Sequence, residues 1–147
     1  MADARLLTSP LDPGAELAAF TAAHPAAGGI ASFLGQVRHG GGCEALELRH
    51  YGPLTLPGME RLCADAMARW TLEGVLAVHR TGQMLPGDPI VLVAAAARHR
   101  RDAFAAAEFV MDHLKSESWF WKREKVAGAW QWIEPREQDF VDLDRWR

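Results

Sequence analysis

The chain has only two cysteines in 147 residues, Cys43 and Cys63, and they form neither a CxxC pair nor a cluster with histidine. A disulfide scaffold and a structural zinc site are both disfavoured by that count, and a reducing cytoplasm fits it. Cationic excess is lacking as well. A formal net charge of -3 argues against the domain-wide positive footprint of a dedicated nucleic-acid binder, so any anion site must be local. No apolar run approaches the roughly 20 residues of a membrane span, and the opening Met1-Ala2-Asp3-Ala4-Arg5-Leu6-Leu7 has no secretory apolar region. The expectation is a cytoplasmic protein without membrane contact. Also missing are the GxSxG elbow, the Walker loop, the HExxH pair and the GxGxxG turn, which closes the usual routes to serine hydrolases, nucleotide phosphatases, zinc peptidases and Rossmann enzymes.

What is present is 49% hydrophobic residues, enough at this length for one domain, residues 1–147, with a real core. Arg5 to Thr8 reads as a short strand, and Asp12-Pro13 as the cap and first turn of a helix to about Ala23, with Leu17 and Phe20 inward. Gly29 to Arg38 alternates, with Ala31, Phe33 and Val37 on one side, and Glu44 to His50 alternates with Leu46 and Leu48 inward. His39-Gly40-Gly41-Gly42 joins them, a glycine run that could cradle an anion and that reads more simply as a flexible hairpin loop. After an irregular stretch from Gly52 to Leu56, Pro57 suits the first turn of a helix that buries Met59, Leu62, Cys63, Ala66 and Trp70. Val75 to Arg80 and Ile90 to Ala97 read as strands around a turn at Pro86-Gly87-Asp88. A helix from Arg101 to Lys115 carries Phe104, Ala107, Met111 and Leu114 as one apolar stripe. Trp119 to Val126 and Trp130 to Ile133 flank Ala127-Gly128 as a hairpin with one strongly aromatic face, fit for core or interface alike. Partial alternation of strands and helices with several antiparallel neighbours favours an α+β fold.

Basic side chains are the best chemical lead. Arg38 ends one strand, His99 and Arg100 end another, and Lys115, Lys122 and Arg123 bracket a loop. Brought together they repel one another unless an anion is bound, which points to a phosphate or carboxylate ligand. A lysine in such a cluster is pushed down from its reference pKa of about 10.4 and becomes able to exchange protons nearer neutrality. Lys115, held by a helix end, is the better candidate; Lys122 lies in a charged run that by itself reads as a solvated strand surface.

Six segments in order carry a resemblance. They are Phe33-Leu34-Gly35-Gln36-Val37-Arg38, His79-Arg80-Thr81-Gly82, Leu85-Pro86-Gly87-Asp88, His99-Arg100-Arg101-Asp102-Ala103-Phe104, Met111-Asp112-His113-Leu114-Lys115 and Phe120-Trp121-Lys122-Arg123-Glu124. Together they resemble the catalytic (large) subunit family of molybdopterin synthase over about residues 28 to 136. The resemblance implies an α/β hammerhead-type fold with an additional antiparallel β subdomain. It also implies a homodimer forming the core of a heterotetramer, with a small ubiquitin-like sulfur-carrier subunit at each end. The carrier's C-terminal Gly-Gly thiocarboxylate would supply sulfur to cyclic pyranopterin monophosphate, with no cofactor or metal in the subunit itself. Lys115 would be the main catalytic residue and Lys122 its assistant. Arg38, His99 and Arg100 would hold the pterin phosphate; Gln36, Val37 and Arg38 with Lys122, Arg123 and Glu124 would line the site; and Arg136 would enter from the other protomer. One departure is visible: the family's tyrosine runs almost directly into Pro-Gly-Met, whereas Tyr51 and Pro57-Gly58-Met59 are separated here by Gly52-Pro53-Leu54-Thr55-Leu56.

Two other readings compete. A non-catalytic binding or scaffold domain for the ubiquitin-like partner has no use for two titratable lysines beside anion-binding arginines. An unrelated phosphate-ester hydrolase lacks its metal carboxylates or nucleophile.

Overall fold

The apolar runs and alternations resolve, in a computed structural model that describes residues 1–116, 119–134 and 137–146, into two sheets and four helices. In chain order these are β1 (Ala2–Leu7), α1 (Pro13–Ala23), β2 (Gly29–Gln36), β3 (Cys43–His50), α2 (Gly52–Arg69) and β4 (Leu72–Arg80). Then come β5 (Gly82–Met84), β6 (Pro89–Ala97), α3 (Arg100–Ser116), β7 (Phe120–Val126), β8 (Ala129–Ile133) and α4 (Glu137–Asp144). The first sheet has the order β1-β4-β6-β2, with β1 parallel to β4 and the other pairs antiparallel. The second, β5-β3-β7-β8, is antiparallel throughout. The expected α+β class, with an additional antiparallel sheet, is what the chain adopts.

β4 and β6 occupy the middle of the first sheet and are covered on both faces, which is why their sequences are nearly continuous apolar runs. Val75 and Ala77 of β4 face Met59, Cys63 and Ala66 of α2 and Val110 and Leu114 of α3. Leu76 and Val78 point the other way, to Leu11 and to Phe20 of α1. Each fully buried large side chain here contributes about 1.5–3 kcal/mol of apolar burial. α1 begins as its sequence dictates, the Asp12 carboxylate accepting from the Ala15 amide at 3.1 Å with proline in the first turn. A third, smaller cluster of Val37, Leu46, Leu48 and Met84 seals the inner face of the second sheet.

Several expectations are corrected. β2 and β3 do not pair: β2 lies on β6 and β3 on β7, so the chain changes sheets through Gly40, Gly41 and Gly42. Their φ values of 97°, 63° and 74° are accessible to glycine at little cost. α2 starts at Gly52 rather than Pro57, so the inserted residues extend the helix, with Pro57 inside it. Tertiary contact overrides the proline: Thr55 is wholly buried and donates to the Trp119 carbonyl at 2.6 Å. Phe104 is 58% exposed and Phe33 45% exposed, so neither belongs to the core. Phe104 falls outside the stripe because the buried face of α3 runs through Ala103, Ala106, Ala107 and Val110. β5 and α4 were not anticipated; both are short, and α4 is rich in charge.

Candidate active site

The two sheets share no hydrogen-bonded strand, and where they abut a pocket of about 130 Å³ opens between them. Gly35 and Gln36 come from the end of β2, Leu46 and Leu48 from β3, and His79 from the end of β4. α3 supplies Met111, Leu114 and Lys115, β7 supplies Phe120 and Lys122, and α4 supplies Asp139. Alternation explains the β7 contribution: Phe120 and Lys122 lie opposite His50 and Leu48 of β3 and share their inner face, while Trp121 and Arg123 project outward. Lys115 is presented by the last turn of α3, whose Leu114 is buried against the first sheet.

His79 joins the sheets. Its ring stacks on Phe120 at 4.0 Å between centroids with an interplanar angle of 25°. Its Nδ1 lies 2.9 Å from the Arg80 carbonyl. Desolvation pushes its pKa down to about 4 despite that hydrogen bond, and the charges of Lys115, Lys122 and His50 push the same way. The imidazole is therefore neutral at physiological pH. Across the pocket, α4 is tied to α3 by the buried Ser116 hydroxyl, which donates to the Asp139 carbonyl at 2.7 Å. At its far end the Trp146 indole and Arg145 guanidinium both donate to the Asp112 carboxylate at 2.6 Å.

The expected site residues divide into groups. Lys115, Lys122 and Gln36 line the pocket. Val37 is buried with Leu46, Leu48 and Met84, and Arg38 is exposed and does not line the pocket. Arg123 turns to the opposite face of β7, where it pairs with Glu47 and lies 4.5 Å from the Trp130 ring centroid and 5.7 Å from that of Trp132. That hydrogen bond holds the Glu47 carboxyl below the usual range. Glu124 shares the inward face of β7 but sits toward Cys43, whose thiol is raised mainly by burial and next by the Glu124 charge. Cys63, sealed in the core, is pushed up to about 12 by burial. His99 and Arg100 are not in the pocket: with Arg98 and Arg101 they line a separate open groove at the start of α3. Arg100 and Lys115 lie 15 residues apart on that helix, about 22 Å along its axis. Arg136 lies outside the described residues.

Sequence reasoning passed over His79 and Asp139 as pocket residues. His79 carried a usable signal, since it follows Val75 and Ala77 on the same alternating face and so places a polar ring where the strand pattern demands burial. Asp139 carried none, because its helix is short and it is one acidic residue among several, with Glu137, Asp142 and Asp144.

A family model described as MoaE protein matches residues 6–117. The molybdopterin synthase catalytic subunit of Ralstonia nicotianae is 45% identical over 145 residues, covering 97% of this chain and 82% of that protein. The subunit of the same name from Cereibacter sphaeroides is 44% identical over 138 residues, covering 93% and 94%. Among solved structures, the molybdopterin biosynthesis MoaE protein from Burkholderia ambifaria superposes with a TM-score of 0.85 at 44% identity, covering 99% of this chain and 98% of that one. A protein–protein complex of subunits 1 and 2 of molybdopterin-converting factor from Helicobacter pylori contains the same fold, with a TM-score of 0.79 at 20% identity over 90% and 91% of the two chains.

Proposed function

The chain belongs to the MoaE protein family, and from that premise we propose that it is the catalytic subunit of a molybdopterin synthase. The enzyme is a sulfurtransferase of molybdenum cofactor biosynthesis, acting on cyclic pyranopterin monophosphate. The observation that carries the reading is the convergence of Lys115 and Lys122, from different elements, on one pocket between the sheets. A small ubiquitin-like carrier inserts its C-terminal Gly-Gly thiocarboxylate there. The carrier sulfur forms a C–S bond to a carbon of the pterin side chain as that carbon's C–O bond breaks, the oxygen leaving with the opened phosphate ester in one round and as water in the other. Water then cleaves the acyl–sulfur bond, the carrier leaves as a carboxylate, and the sulfur stays on the product. A second round completes the dithiolene. Lys115 exchanges the protons these steps require, and Lys122 assists by neutralising developing negative charge. Because sulfur arrives on the partner, the buried Cys63 has no part in transfer.

Gln36 and Arg38 form the β2 side of the site over a floor containing Val37, and Lys122 to Glu124 form the facing strand. His99 and Arg100 lie too far along α3 to meet a ligand held by Lys115 of the same chain. In this reading they bind the substrate phosphate in a second copy's site, as Arg136 does by family resemblance. The assembly is then a homodimer with a carrier at each end, each chain one domain, working in the cytoplasm. Among the described residues no helix is long and apolar enough to cross a membrane.

The test mixes the protein with pyranopterin monophosphate and thiocarboxylated carrier and follows dithiolene product by mass spectrometry. Lys115→Ala abolishes product. Lys115→Arg, which keeps charge but exchanges no proton near neutrality, lowers the rate by about 10²–10⁴-fold. Mixing inactive Lys115→Ala with inactive Arg100→Ala chains, under conditions of subunit exchange, restores partial activity. Wild-type protein that forms no product refutes the assignment, and a mixture that stays inactive refutes the shared site.

A further inference from the structure

His79 stands where packing alone calls for an apolar side chain. It ends the buried face that begins with Val75 and Ala77, at the line where the two sheets meet. A polar ring there carries a desolvation cost that hydrogen bonds must offset. One such bond is the Nδ1 contact to the Arg80 carbonyl at 2.9 Å. A carbonyl only accepts, so Nδ1 carries the proton and Nε2 keeps its lone pair. The Phe120 stack and the Nδ1–H bond together fix the ring in direction. The titratable groups around the imidazole are Lys115 of α3, Lys122 of β7 and His50 of β3, with Asp139 of α4 also on the pocket wall. Two ammonium groups bring donors to this pocket, and a ring that stays neutral offers them an acceptor without adding a charge.

We propose that His79 is a positioning residue, whose bare Nε2 accepts a hydrogen bond from the Lys115 ammonium and turns that amine toward the ligand. The catalytic meaning of this role rests on the sulfur-transfer reading; the contact itself does not, and it is tested separately. The Lys115 amine is titrated by competitive acetylation with acetic anhydride from about pH 6 to 10, read by peptide mass spectrometry on the full chain. His79→Phe keeps the stack, and His79→Asn keeps a donor for the Arg80 carbonyl; both lose the acceptor. In each, the ammonium form is less stabilised, and the amine at neutral pH reacts about tenfold faster than in the wild type. His79→Gln, which carries a carbonyl acceptor near the Nε2 position, retains the wild-type labelling curve, and the pH profile of single-turnover sulfur transfer moves in the same order. Equal labelling in all four folded proteins overturns the proposal, as does a shift produced only by Asp139→Asn. If the Phe and Asn variants do not fold, imidazole ¹⁵N NMR of the wild type against Lys115→Met decides: a displaced Nε2 resonance supports the contact and an unmoved one refutes it. Absence of product from the wild type refutes the sulfur-transfer reading and leaves the labelling result standing.

Discussion

Gly58→Ala sets two physical effects against each other. Gly58 lies within α2, where alanine is the better helix former by about 1 kcal/mol. A methyl group built there, however, meets the Trp119 indole at 2.5, 2.7 and 2.8 Å from Cε2, Nε1 and Cζ2. These atoms belong to a rigid ring whose backbone is held by Thr55, so the ring cannot simply swing aside. Overpacking of this kind costs about 1–3 kcal/mol, and three simultaneous clashes place it near the upper end. The net destabilisation is then about 2 kcal/mol, a fall of about 4–8 °C in Tm for a chain of this size. Urea denaturation and calorimetry of the single and double variants measure it. In a Trp119→Ala background the clash disappears, and Gly58→Ala stabilises by about 1 kcal/mol. Trp119 lies between Lys115 and Lys122 in sequence, so the single variant also loses sulfur transfer. Stabilisation in the native background, or the same effect in both backgrounds, would show that the glycine is not there to admit the indole.

Burial of His79 makes part of the stability pH-dependent. Its folded value of about 4 lies below the ordinary imidazole value of 6.5, so the unfolded chain binds the proton first. The contribution is therefore complete above about pH 6.5 and is lost as pH falls toward 4, by about 3 kcal/mol in all. Urea midpoints across that window record the slope, which His79→Phe flattens; an unchanged slope assigns the loss to other groups. Ala127 has φ 51° in the two-residue turn between β7 and β8. Ala127→Asn raises stability by about 0.5–1 kcal/mol in chemical denaturation, and a lower midpoint contradicts this account. The double variant Cys43→Ala, Cys63→Ala retains sulfur transfer from the thiocarboxylated carrier in the product assay, whereas a persulfide on either residue with loss of turnover overturns the carrier-supplied mechanism.

Elements whose signals are local were legible in the sequence. The Asp12-Pro13 start of α1, the apolar runs of β4 and β6 and the extent of α3 all follow from caps and periodicity. Sheet membership was not legible, because β3 finds its partner in β7, with Glu47 opposite Arg123 far along the chain. The start of α2 was misplaced because a proline is a local signal and the Thr55 contact to Trp119 is not. Lys115 and Lys122, grouped in the sequence by their chemistry, line one pocket in the fold. His99 and Arg100 share that chemistry but stand at the other end of α3, a separation set by helix length rather than by residue type.

The boundary between the sheets gives the binding cleft a kind of adjustability that neither sheet has alone. Inside a hydrogen-bonded ladder the smallest slip is one residue, and it turns every side chain to the wrong face. Between the sheets no such ladder constrains the fit: the contact is made by side chains such as His79 against Phe120, with Ile90 touching clusters on both sides. The two halves can therefore slide by fractions of an ångström while both ladders remain intact. Single substitutions along that line act like shims, widening or narrowing the slot while the amine-bearing helix and strand keep their own geometry.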